Sequence, residues 1–245
     1  SGKLLAYPEL EAVITAQDTL ASFPAFEFTG QAETELRNII FEFGHSLKFE
    51  NGGLLAESCV FRKFSNTDST GTLFLSNGGF ELKNSFIYEN QGMAIKTSEN
   101  SPASLKIENC MIYRNNLSET EDFQIMINNS IQDTIKITNC QINGTGASGG
   151  IGFSGINPGT AIIVDNNQIN DNRKGLAFSG NQPDVSITNN LFAGNTEEAI
   201  YCSSVSFSNF SLLQNIMENN GANAQTAQVY LNFRSENEAD RKSVV

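Results

Sequence analysis

The chain has 245 residues, 39% of them hydrophobic and only 17% charged, which is enough apolar material for a sizeable core and too much for disorder. Its 27 acidic residues against 15 basic ones leave a net charge of −12, so no basic surface is available to gather phosphates by counterion release, which argues against nucleic acid as a partner. No apolar stretch approaches the ~18 residues that a membrane-spanning helix needs, so no membrane insertion is expected.

Residues 1–10, with Tyr7 and Pro8, precede any repeat and read as a lead-in or cap, and residues 234–245 form a charged tail. Between them, residues 11–233 repeat. Four cysteines, Cys59, Cys110, Cys140 and Cys202, have no CxxC pair and only His45 for company, which excludes the usual zinc spacings. They are too few for a disulfide scaffold and read as small apolar fillers.

The repeating unit is clearest at Leu82-Lys-Asn84-Ser-Phe-Ile87 and Ile107-Glu-Asn109-Cys-Met-Ile112. It returns at Ile137-Thr-Asn139-Cys-Gln-Ile142, Val164-Asp-Asn166-Asn-Gln-Ile169 and Ile187-Thr-Asn189-Asn-Leu-Phe192. Weaker copies centre on Asn38, Glu57 and Gln214. Successive anchors are 19 to 30 residues apart, so the period is near 25 but elastic. An aliphatic residue stands two before every anchor and an apolar one three after it, whereas the residue just before is mostly polar. Such alternation belongs to two short strands joined by a bend. A third apolar stretch follows in each unit, for example Met93–Ile95, Ile125–Ile127 and Leu176–Phe178.

Three short strands per turn of about 25 residues, with Asn at one bend, resembles the right-handed parallel β-helix superfamily, the pectate-lyase-like fold. The resemblance implies an all-β solenoid of about eight coils over residues 11–233. Stacking places equivalent residues about 4.8 Å apart, which would turn Asn84, Asn109, Asn139, Asn166 and Asn189 into an amide ladder, a scaffold role. Asn also tolerates the left-handed backbone of such bends. Cys110 and Cys140 would then stack on adjacent coils, where a disulfide is conceivable although free thiols are expected. Weak ends suggest a piece of a longer chain.

In carbohydrate-active members of the superfamily, the resemblance places a substrate groove on the third strand's face. Alternation assigns outward positions there to Phe74, Ala94, Lys96, Gln124, Met126, Gly150, Gly152, Gly175, Ala177, Ala199, Tyr201 and, beyond these, Tyr230. That strip carries no carboxylate, so the paired acids of a lyase or hydrolase are missing from it. Tyr201, Tyr230 and Phe74 are able to stack on sugar rings, with Lys96 beside them. The loop after Asn115 gathers Glu119, Glu121 and Asp122, which could hold calcium, though it lacks the fixed spacing and Gly of a calcium loop and suits a solvated insertion better.

The expected function is therefore a non-catalytic extracellular or cell-surface module with no obligatory cofactor, which presents loops for adhesion or binds a polysaccharide or cell-surface glycan along its side. Repeats such as Phe86-Ile-Tyr-Glu-Asn90 are similar to those of bacterial polymorphic outer-membrane proteins. The competing expectation is a polysaccharide lyase or glycoside hydrolase of the same fold that imports acids from its loops.

Overall fold

Most coils are built from three- to six-residue strands, each pairing in parallel with the equivalent strands of the neighbouring coils. The computed structural model describes residues 3–5, 12–16, 22–66, 70–98, 104–118, 123–128, 133–157, 159–221 and 228–233. First strands such as Gly79–Lys83, Ser104–Glu108 and Thr134–Thr138 pair in parallel, as do second strands such as Phe86–Tyr88 and Met111–Tyr113. Third strands such as Ile95–Thr97, Phe123–Asn128 and Gly149–Ser154 do the same. The second strands form a sheet of nine, so the described stack has nine levels. Its first strand is Lys3–Leu5, which pairs with Glu35–Arg37 and takes the stack into the lead-in segment.

Late in the chain the third strand of one coil runs straight into the first strand of the next, as single strands Leu176–Thr188 and Ile200–Leu213. The register shifts between Ser179 and Gly180, where Gly180 adopts φ 73°, and Ser204 takes φ 53° in the following coil. A left-handed residue at a bulge turns the chain without a loop.

The bend between first and second strands is left-handed in every described coil from the second onward. Asn38, Asn84, Asn109, Asn139, Asn166, Asn189 and Gln214 have φ between 49° and 57°. One anchor moves: in the coil of Leu54–Glu57 the left-handed residue is Ser58, not Glu57. Ala56 accordingly aligns with Leu82, and Phe61 with Ile87. Leu54 and Leu55 are both apolar, so the hydrophobic pattern alone does not choose between the two registers.

Inward residues stack like on like. Ile107, Ile137 and Val164 form one wholly buried file, and Ile112, Ile142 and Ile169 another. Stacked rings, Phe41 on Phe61 at 5.6 Å and Phe153 on Phe178 at 4.8 Å, extend this core. Each such side chain contributes about 1.5–3 kcal/mol by leaving water.

The anchor amides form a discontinuous ladder. Asn109 donates to Asn84 at 3.3 Å and Asn166 to Asn139 at 2.7 Å, while Asn189 turns to Asp165 at 2.9 Å, and all three contacts are exposed. The anchor's work is conformational, because an amide in water gains little from choosing a neighbour. The buried amides lie elsewhere. One column follows the anchor: Asn190 Oδ1 accepts the Asn167 backbone N–H at 2.9 Å, and Asn215 Oδ1 accepts that of Asn190 at 2.9 Å.

A second buried column lies at the next bend. Asn90 Nδ2 donates to Asn115 Oδ1 at 2.7 Å, Asn172 N–H to Asn195 Oδ1 at 3.0 Å and Asn195 Nδ2 to Asn220 Oδ1 at 2.7 Å. Thr145 interrupts it, being exposed where the coils on either side place the buried Asn115 and Asn172. Gln124 closes the gap from the third strand. Its Oε1 accepts from Asn115 N–H and Nδ2, both at 3.2 Å, and its Nε2 donates to Asn172 Oδ1 at 2.9 Å. Glycines leave the room: a Cβ on Gly144 would lie 2.6 Å from Asn172 Oδ1, and one on Gly150 2.7 Å from the Gly175 carbonyl.

All four cysteines are free and buried, and Cys110 N–H donates to Cys140 Sγ at 3.5 Å. A side-chain hydrogen bond between the Cys110 and Cys140 thiols, together with burial, pushes the Cys110 thiol up. Burial also raises Cys59, and it pushes Cys202 up to about 12.

Replacing Gln124 with Leu leaves buried donors on Asn115 and an acceptor on Asn172 unpaired, and is expected to lower unfolding free energy by about 2–4 kcal/mol in urea titration. Asn109→Gly removes only a water-exposed amide and keeps the left-handed freedom, so its effect stays within about 0.5 kcal/mol. A second expectation concerns alkali. Between the ordinary thiol value of 9.0 and about 12, unfolded Cys202 gives up a proton that the folded chain retains. Its contribution is intact below about pH 9 and falls by ~1.4 kcal/mol per pH unit above it. Urea titrations at about pH 8 and 10 should show a smaller alkaline drop for Cys202→Ala than for the parent chain.

Candidate functional site

The third strands present one outward residue per coil at the same register. In order this file reads Glu27, Lys48, Phe74, Lys96, Met126, Gly152, Ala177, Tyr201 and Tyr230. All four residues expected to touch ligand, Phe74, Lys96, Tyr201 and Tyr230, therefore stand on a single line. They form two groups, with Met126, Gly152 and Ala177 between them.

Five residues expected on the same exterior are inside instead. Ala94, Gln124 and Ala199 are wholly buried, and Gly150 and Gly175 are buried as well. They occupy the corner where the chain turns into the third strand, so two consecutive side chains, such as Gln124 and Ile125, both face inward. Strict alternation holds only once the strand is under way. At Gly175 the corner has no room for a side chain, because a Cβ there would collide with the Ala199 carbonyl oxygen and lie 2.9 Å from the Phe192 ring.

Two successive coils with almost no outward side chain leave a trough of about 220 Å³. Its floor is Gly152 and Ala177, and Phe123 and Met126 wall one end. Those side chains lean over the glycine, since a Cβ there would lie 2.8 Å from both Met126 Sδ and the Phe123 ring. Tyr201 walls the other end and is backed by Tyr230, ring centroids 5.1 Å apart and 16° from parallel. Such stacking fixes the Tyr201 ring in place.

Arg173 and Lys174 line the side, with Ser179 and Ser203 contributing hydroxyls. Lys174 Nζ sits 4.6 Å from the centre of the Tyr201 ring, in contact with Glu197 and 4.0 Å from Glu198. The ammonium thus spans a carboxylate and an aromatic face, a geometry that holds it at the trough's edge. Phe74 lies farther up the file, between Lys48 and Lys96.

Glu119, Glu121 and Asp122, the acids weighed as a calcium site, lie outside the described residues. Among the described residues no three His, Cys, Asp or Glu side chains gather as a metal site. Arg173, Lys174 and Phe123 were not foreseen as site residues. The first two follow Asn172 and look like an ordinary polar bend, and the legible signal was a cation pair at a corner one coil before Tyr201.

A family model described as a right-handed beta helix region matches residues 24–181. No curated protein and no solved structure matches the chain. The match spans most of the parallel stack described above, so the chain belongs to the right-handed β-helix family.

Proposed function

We propose that the chain is a non-catalytic β-helix module, working outside the cell or at its surface, that holds a glycan against its side in the trough over Gly152 and Ala177. The observation that carries this reading is the trough itself: a floor of Gly152 and the Ala177 methyl, overhung by Met126 and Phe123 at one end and bounded by Tyr201 at the other. A sugar ring presents C–H faces that suit Met126, Phe123 and Tyr201, and hydroxyls that suit Arg173, Lys174, Ser179 and Ser203. The floor belongs to stacked strands, so binding would order little that is not already ordered.

The absence of catalysis in this reading rests on where the acids point. Glu197 and Glu198 both turn toward Lys174, and no carboxylate is among the residues lining the trough. Glycoside hydrolysis needs two carboxyl groups facing one another across the scissile bond. An extracellular setting rests on the fold family alone.

The test is a glycan array followed by titration calorimetry on its best ligand. Binding should weaken at least tenfold, about 1.4 kcal/mol, in Tyr201→Ala and in Gly152→Val, both with unchanged circular dichroism. Reducing-end and unsaturated-product assays over the same glycans, with and without calcium, should stay at background. Binding that both variants leave intact, or turnover that disappears in Glu121→Gln or Asp122→Asn, would refute the reading and favour a lyase or hydrolase.

A further inference from the structure

The outer face of the second strands carries a surface that the trough does not use. One of its two files begins Val13, Ile40, Val60, Phe86 and Met111, five apolar side chains on consecutive coils. Gln141 and Gln168 follow, and Leu191 and Ile216 end it. Three of the apolar members are well exposed, Val13 at 53%, Phe86 at 40% and Ile216 at 55%. Outward positions of a solvated sheet are normally polar, so a nearly unbroken apolar file is the anomaly.

The neighbouring file carries few charges, Glu42 and Arg62 near one end and the exposed Glu218 at the other. Arg62 Nη2 lies 2.7 Å from Glu42, and its Nη1 donates to Tyr88 Oη at 2.9 Å. The Tyr88 ring stacks on Tyr113 at 4.9 Å. On the other flank stand the exposed, neutral anchor amides Asn84 and Asn109. In a chain of net charge −12, this face lets a like-charged molecule approach with little repulsion.

We infer that this face is the contact between two copies of the chain, a weak isologous dimer with second-strand sheet against second-strand sheet. The identity of the occupant follows from pitch. The apolar file repeats once per coil, about every 4.8 Å, and a second copy turned about a two-fold axis offers the same file at the same spacing. Nine levels span about 38 Å, and a strip ~12 Å wide covers roughly 450 Å² on each copy, about 900 Å² in all. That is near the lower limit for specific association, so the dimer is reversible. Apolar contact under overall like-charge repulsion also fixes the sign of the salt effect: added salt screens the repulsion and tightens the dimer.

Sedimentation velocity tests this on the full chain from ~5 to ~500 µM, at about 0.05 and 0.5 M NaCl. The parent chain should shift from monomer toward dimer as concentration rises, and at lower concentration in high salt. Phe86→Glu should raise the dissociation constant at least tenfold, and Val60→Glu, also outward-facing, is the second variant should the first fail to fold. A parent chain that stays monomeric at ~500 µM in high salt, assigning the face to a different partner, would overturn the inference. So would a dimer, or any larger assembly, that both glutamate variants leave intact.

Discussion

The fold depends on one constraint: wherever a coil turns a corner in the interior, its backbone N–H groups must find an acceptor on the next coil. Asn190 and Asn215 supply that acceptor at one corner, and Asn195 and Asn220 at the next. Each amide also returns a bond to a carbonyl of the preceding coil, as Asn190 does to Val164 at 2.9 Å and Asn195 to Ile169 at 3.0 Å. A register slip of one residue would orphan the whole set in a dry interior, at a cost no apolar regain would offset. Hydrophobic stacking supplies most of the stability, and the buried amides select the register in which it is collected.

Fixed register determines the exterior. Gly152 over Ala177 makes a trough only because both stand on the file that carries Tyr201, and the apolar side chains from Val13 to Met111 make a strip only because they too are aligned. The trough lies on the third strands and the strip on the second, so pairing through the strip would engage a different sheet from the one that holds the trough. A dimer would then carry two sites on one rigid body, and a polymeric ligand long enough to reach both would be held by more than either site provides.

Much of this was legible in the sequence, for reasons particular residues make plain. Asn at a left-handed bend, with an aliphatic residue two before it and an apolar one three after, marks its coil unambiguously, and the resulting strand alternation placed Phe74, Lys96, Tyr201 and Tyr230 on one line. The reading failed where alternation itself fails. Corner residues such as Gln124 break the period of two, and Leu54-Leu55 offers two equally apolar registers that only the bend at Ser58 decides. Column contents are also hidden from any single repeat: Gln124 replaces the Asn that Thr145 cannot supply, and the two meet only after stacking. Arg173 and Lys174 owe their place at the trough to Tyr201 on the following coil in the same way.

The central claim is that interior amides, rather than the exposed Asn anchors, lock successive coils together. Hydrogen exchange of individual Asn side-chain NH₂ groups, followed by NMR, addresses it directly. The account predicts that Asn115, Asn172 and Asn195 exchange at least ~10³-fold more slowly than Asn109 and Asn166, as groups opened only by large-scale unfolding do. Comparable exchange at the two sets of amides would contradict it.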